Sequence, residues 1–242
     1  MKEIRDLGAE QIAENITQVR IRIAEAASKA GRDPAEITLV AVSKTRPVEL
    51  VEIAYNLGVT NFGENRVQEA LPKIKAFHPQ GLRWHLIGHL QSNKAGKVVE
   101  LFACIHSVDS LHLAQVLSRH AQEHGQRLAL LLQVNVAGEA SKEGVSLAEA
   151  PAVARQISAL PELQIEGLMT VAPLVNDPEE VRPIFRELRL LRDRLRSEIP
   201  SSSWAQLSMG MTDDYTVAIE EGATLVRVGR AIFGQRVQPV RG

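Results

Sequence analysis

Leu39-Val40-Ala41-Val42-Ser43-Lys44-Thr45 is an apolar, β-branched run that stops at a lysine, with Arg46 and Pro47 behind it. A run of this kind, closed by a breaker and followed by a helical pattern, reads as a buried parallel strand feeding a helix. Lys44 stands where that strand leaves the core, and such strand ends carry the chemistry of α/β folds. Burial at an apolar wall disfavours an ammonium ion. The neutral amine then attacks a carbonyl and forms a Schiff base. On this stretch alone, the commoner outcome is a lysine that snorkels out of the strand end.

Working outward, residues 8–30 carry Ile12, Ile16, Val19, Ile23 and Ala26 at helical spacing, which predicts one amphipathic helix. Gly31 stops it and Asp33-Pro34 turns the chain. Downstream of Lys44 the strand-helix unit repeats. The apolar runs predict strands over 37–43, 59–62, 82–87, 102–108, 128–136, 163–171, 205–208 and 224–228. Helical patterns fill 47–57, 67–77, 92–99, 110–124, 147–160, 178–199 and 212–221. Eight such strands behind one extra helix are the pattern of a (β/α)8 TIM barrel. An open doubly wound sheet is the alternative, weakened because no dinucleotide fingerprint follows the first strand. No linker or low-complexity segment interrupts the chain. The expectation is one α/β domain over 1–242, with the extra helix in 1–31 and the barrel in 37–234.

The 242 residues are 45% hydrophobic and 24% charged, enough apolar content for a sizeable core in a soluble chain. A net charge of -1 calls for neither nucleic acid nor a membrane surface. A single cysteine, Cys104, rules out an internal disulfide framework and fits a reducing compartment. Met1 to Asp6 lack the apolar core of a signal peptide, and no stretch is long and apolar enough to span a bilayer. A cytoplasmic protein is expected.

Barrel chemistry collects at the C-terminal ends of the strands, with phosphate often held after the last two. Those ends are Lys44, Asn65, His89, Asn135, Met169-Thr170, Ser208-Met209-Gly210 and Arg227-Val228-Gly229-Arg230. Ser208 offers a hydroxyl, Gly210 and Gly229 permit close approach of main-chain N–H groups, and the N–H of Arg230 joins them. A phosphate site opposite a Schiff-base lysine selects a ligand with both a phosphate and a carbonyl. Pyridoxal 5′-phosphate (PLP) fits, as does a phosphosugar in an aldolase. Arg227 bears on the choice. Facing a pyridine nitrogen, an always-charged donor keeps that nitrogen unprotonated and the ring a weaker electron sink.

Six segments then match a known pattern in order. They are Ala41 to Thr45, Phe62 to Glu69, Trp84 to Lys94, Gly167 to Thr170, Leu207 to Asp214 and Val226 to Gly234. The chain resembles the YggS/PROSC family of PLP homeostasis proteins along nearly its whole length. The resemblance implies a fold-type III PLP barrel, similar to the N-terminal domain of alanine racemase. It implies Lys44 as the Schiff-base lysine and Arg227 at the pyridine nitrogen. Ser208, Gly229 and the N–H of Arg230 match the phosphate cradle, with Met209 and Gly210 in the same turn, and Asn65 and Met169 match residues lining the ring. At Arg230 many relatives carry threonine, so the cradle differs there in detail. The family is regarded as lacking a defined enzymatic activity and is linked to free PLP and to amino- and keto-acid balance.

Other readings carry less. A second β-rich domain like that of alanine racemase has no room before Gly242, which points to a monomer. Neither Tyr55 nor Tyr215 falls at a predicted strand end, so a two-base racemase lacks its second base; His85 and His89 are the remaining candidates. The pairs His85/His89 and His120/His124 have four-residue spacing but no zincin acid between them, so no metal is expected. The arginine-rich 178–199 helix carries mixed charge and reads as a solvated face. Residues 138–144 read as a polar loop at the mouth. Three hypotheses follow: a PLP carrier that serves apo PLP-dependent enzymes, a fold-type III racemase or decarboxylase, and a Schiff-base aldolase.

Overall fold

The computed structural model describes residues 8–139 and 142–235. Its strands are β1 (Thr38–Val42), β2 (Asn61–Glu64), β3 (Arg83–Leu86), β4 (Cys104–Val108), β5 (Leu128–Asn135), β6 (Val145–Ser146), β7 (Leu163–Met169), β8 (Gln206–Ser208) and β9 (Leu225–Val228). Around them stand α1 (Ala9–Lys29), α2 (Val48–Asn56), α3 (Val67–Ala76), α4 (Leu111–Glu123), α5 (Ala150–Ser158), α6 (Arg182–Glu198), α7 (Tyr215–Glu220) and α8 (Arg230–Phe233). All strands but β6 form a closed parallel ring in the order β1-β2-β3-β4-β5-β7-β8-β9, with β9 pairing back onto β1. The expected TIM barrel is therefore present. Among the described residues no helix is long and apolar enough to cross a membrane.

The ring separates two cores. Side chains alternate across each strand, and the smaller set, Val40, Cys104, Leu131, Met169 and Leu225, packs inside the barrel. The larger set fills the layer between strands and helices, where Phe62, Trp84, Phe185 and Trp204 are buried. Gly167 shows how close the ring is drawn: a Cβ there would stand 1.8 Å from the carbonyl oxygen of Gln206 on the next strand.

α8 is a single turn, and α1 packs against α7, α8 and α2. It occupies the part of the helix layer that a longer last helix would fill. Asn15 donates to the Ile232 carbonyl at 2.9 Å, and Arg32 donates to the carbonyls of Ile219 and Ala223.

Local chemistry moves some expected boundaries. Residues 92–97 form a 3-10 segment rather than an α-helix. The 178–199 helix opens as a 3-10 turn capped by Asp177. α7 begins at Tyr215 instead of Thr212, because the Asp214 carboxylate accepts from the Met211 N–H at 2.5 Å and turns the chain there. The loop expected at 138–144 includes 140 and 141, outside the described residues; just after it β6 adds an unexpected pairing with Val134 and Asn135.

Candidate functional site

β1 delivers Lys44 through a strained turn. The Arg46 N–H donates to the Ser43 carbonyl at 3.0 Å, and Thr45 between them has φ 62°. That is the left-handed region, disfavoured for a β-branched residue. Alternation turns Val40 into the barrel, and the Ser43 hydroxyl donates to Glu64 in the helix layer at 2.7 Å. Lys44, half-buried, follows in the turn just past β1.

A buried ion pair pins this turn from behind. The Lys73 ammonium on α3 donates to Glu64 Oε1 and to the Ser43 carbonyl, each at 2.7 Å. Glu64 has no exposed surface. Burial pushes its carboxyl above the usual carboxylate range, and Lys73 and Ser43 draw it back only in part. The carbonyl immediately before Lys44 is thereby fixed by a cation on another element.

Arg227 enters from β9 on the same face as Leu225 and is almost fully buried. Its Nη1 donates to Ser208 Oγ at 2.5 Å and its Nη2 to the Thr170 carbonyl at 2.8 Å. Burial lowers its pKa to about 10, with Asp214 opposing; it stays charged at neutral pH. Ser208 is also 2.9 Å from His106 Nδ1, and His106 Nε2 lies 2.9 Å from His85 Nδ1. Ser208, expected as a phosphate ligand, thus has its hydroxyl engaged with Arg227 and His106.

The two histidines set an acid limit on the fold. Burial holds His85 at about 3, with Arg83 adding to it. His106 is held well below the ordinary range, first by burial, then by His85 and Arg227. Both rings are neutral when folded, whereas in the unfolded chain they titrate near pH ~6.5. The folded value is the lower one, so the stabilisation is complete above pH ~6.5 and is lost as the pH falls below it. Two rings make this loss about 3 kcal/mol between pH ~7.5 and ~5.5. Urea unfolding at the two pH values measures it, and equal stability at both would mean that the rings titrate in the fold as they do in the unfolded chain.

The turns after β8 and β9 are tied to each other. Arg230 forms an ion pair with Asp213, so its side chain lies along the rim and joins the two turns. Gly210 has φ 89°, and a Cβ there would strike Ala218 and Tyr215 of α7 at 2.6 and 2.8 Å. A Cβ on Gly229 would stand 3.2 Å from the Val42 carbonyl. Both glycines therefore hold main chain close to its neighbours. The Met209 side chain is buried in the outer core and its N–H donates to the Leu225 carbonyl at 3.2 Å, so neither is presented to a ligand at the mouth.

Asn65 follows β2 on the barrel side. Its Oδ1 is buried without a hydrogen-bond partner, and Gly88 lies so close that a Cβ would stand 2.5 Å from the Asn65 carbonyl. Met169 closes β7 within the inner cluster. His89 stands apart on the rim, 3.2 Å from Asp109. The sequence reading brought forward neither His106 nor the Glu64-Lys73 pair. His106 had a signal, as an ionisable residue in phase with Cys104 inside a run of buried residues. The ion pair had none, because its partners come from different elements.

The chain matches the family described as alanine racemase, N-terminal domain, over residues 10–237. A relative in Pseudomonas aeruginosa named pyridoxal phosphate homeostasis protein is 45% identical over 225 residues, covering 93% of this chain and 96% of its own. The chain belongs to the family of pyridoxal phosphate homeostasis proteins. Its fold matches that of PipY from Synechococcus elongatus PCC7942, solved with PLP bound, with a TM-score of 0.81 and 40% identity; the match covers 92% of this chain and 100% of PipY. An alanine racemase of Clostridium difficile 630 shares the fold alone, at a TM-score of 0.75 and 14% identity over 95% of this chain and 58% of its own.

Proposed function

We propose that this chain binds PLP in the barrel mouth as a Schiff base on Lys44 and acts in intracellular PLP homeostasis and amino/keto acid balance as a carrier, without a defined catalytic activity. The observation that carries this reading is a pair of groups on adjacent strands: a half-buried lysine just past the end of β1 and a buried guanidinium on the neighbouring β9. The pair fits the cofactor's two reactive features. When bound, PLP supplies an aldehyde that an amine takes up reversibly. Lys44 is that amine. Arg227 has five N–H donors, two of them on Ser208 and Thr170, which leaves donors for a ring nitrogen that they keep unprotonated. Asn65 and Met169 line the ring. Main-chain N–H groups at Gly210, Gly229 and Arg230 take the phosphate, and the hydroxyl of Ser208 serves Arg227 first.

Tyrosine offers no second base. Tyr55 donates to the Gln80 carbonyl, and Tyr215 is buried in the outer core. The carrier acts in the cytoplasm as a monomer, and its acceptors are apo PLP-dependent enzymes.

The test is borohydride reduction of the PLP-loaded protein followed by peptide mass mapping, then transfer from unreduced protein to an apo enzyme. The expected outcome is one modified site, Lys44, and recovery of acceptor activity. PLP trapped on another lysine overturns the site. Steady turnover of an amino acid by the pure protein overturns the carrier reading in favour of a racemase or decarboxylase.

A further inference from the structure

Thr60, Asn61, His85, His106, Ser208 and Arg227 form one hydrogen-bonded chain that runs into the barrel, and the orientation of the Asn61 amide sets its direction. Asn61 Nδ2 donates to Thr60 Oγ1 at 3.1 Å, which leaves Asn61 Oδ1 as the acceptor 3.0 Å from His85 Nε2. An amide oxygen only accepts, so His85 carries its proton on Nε2. A neutral imidazole has one N–H, so His85 Nδ1 accepts from the Nε2–H of His106 at 2.9 Å. His106 Nδ1 then accepts from the Ser208 hydroxyl at 2.9 Å. The Ser208 oxygen accepts in turn from Arg227 Nη1. Every ring nitrogen has a partner.

We propose that His106 and His85 are positioning residues for Arg227, fixing through Ser208 the guanidinium that meets the cofactor ring. This rests on the reading that the mouth binds PLP. A hydroxyl that donates to His106 is a better acceptor for Arg227, because hydrogen bonds in a chain polarise one another. With the Thr170 carbonyl as second anchor, the plane of the guanidinium is set by two fixed acceptors. The arrangement accounts for two histidines in a place where apolar residues would pack as well. It also accounts for their neutrality, since an added proton on either ring would oppose the charge on Arg227. Cys104 stands beside both rings, and the three present metal-type ligand atoms within 4.8 Å of one another. Their nitrogens are already engaged in the chain, which favours hydrogen bonding over a metal.

Two measurements test the proposal. The first uses PLP-free protein labelled with 15N-histidine. Both buried rings are expected as Nε2–H tautomers that do not titrate at neutral pH. An Nδ1–H tautomer or a protonated ring at either position overturns the chain, whatever the fate of PLP binding. The second compares PLP affinity and the absorption spectrum of bound PLP, across pH, in wild type, His106→Leu and His106→Asn. Leucine removes the acceptor for Ser208; asparagine keeps one where Nδ1 stood. Loss of one oriented bond to a charged donor predicts weakening on the order of tenfold in the leucine variant, with a shifted band, and recovery in the asparagine variant. Equal affinity and an unchanged spectrum in His106→Leu overturn the positioning role. If that variant does not fold, Asn61→Ala breaks the chain at its far end and is judged by the same readouts. Wild-type protein that takes up no PLP overturns the underlying reading instead, and the tautomer result still stands or falls by itself.

Discussion

Lys44→Ala abolishes covalent capture of PLP while leaving the fold in place. Alanine has no amine, so borohydride fixes nothing at position 44, and the peptide mass at that site matches unmodified protein. Lys44 lies beyond the hydrogen-bonded part of β1, half-buried. Its truncation leaves Glu64, Lys73 and Ser43 in contact, so stability stays within about 1 kcal/mol of wild type. Arg227 and the main-chain donors after β8 and β9 are also intact, so weak, reversible PLP binding survives and is removed by dialysis. Lys94→Ala, at the rim beside Asn65, retains the full adduct. Trapping at undiminished yield in Lys44→Ala would assign the tether to another amine.

Lys73→Met carries the largest expected loss of stability. Glu64 is wholly inside, and Lys73 supplies its charge partner. Breaking a buried pair by removing one member costs about 3–5 kcal/mol, because the remaining charge is stranded. Here the same ammonium also serves the Ser43 carbonyl, which loses its donor. The stranded carboxyl takes up a proton more readily than Glu64 does beside Lys73, so the deficit narrows as the pH is lowered. Lys73→Met combined with Glu64→Gln removes both charges and recovers most of the loss. Urea unfolding of the two single variants and the double variant measures the coupling. Additive effects would show that the pair contributes little beyond its two side chains.

The barrel is legible in the sequence because each parallel strand is buried on both faces and reads as a compact apolar run, and a helical pattern follows nearly every one. The places of Lys44, Asn65, Met169 and Arg227 at or just past strand ends are legible for the same reason, since a strand end is a place in the fold as well as in the chain. The role of Ser208 is not. A hydroxyl at a strand end fits a phosphate or a guanidinium equally well, and only the position of His106 across the barrel decides its partners. The start of α7 is missed because Asp214 receives the Met211 N–H, a local contact that the helical pattern does not register. Glu64 and Lys73 pass as ordinary surface charges until α3 is laid against β2.

The place of α1 in the helix layer has a consequence for synthesis. α1, which buries Ile12, Ile16, Val19 and Ile23, packs against the distant α7 and α8 as well as α2, and the hydrogen bond from Asn15 to Ile232 spans 217 residues. This apolar stripe is made well before most of its partners: α2 follows soon after, but α7 and α8 come about 200 residues later. Contacts of such long separation form slowly and leave the nascent chain open to aggregation. Closure of the helix layer over α1 therefore waits for α7 and α8, and until then the first helix is a segment for chaperones to shield.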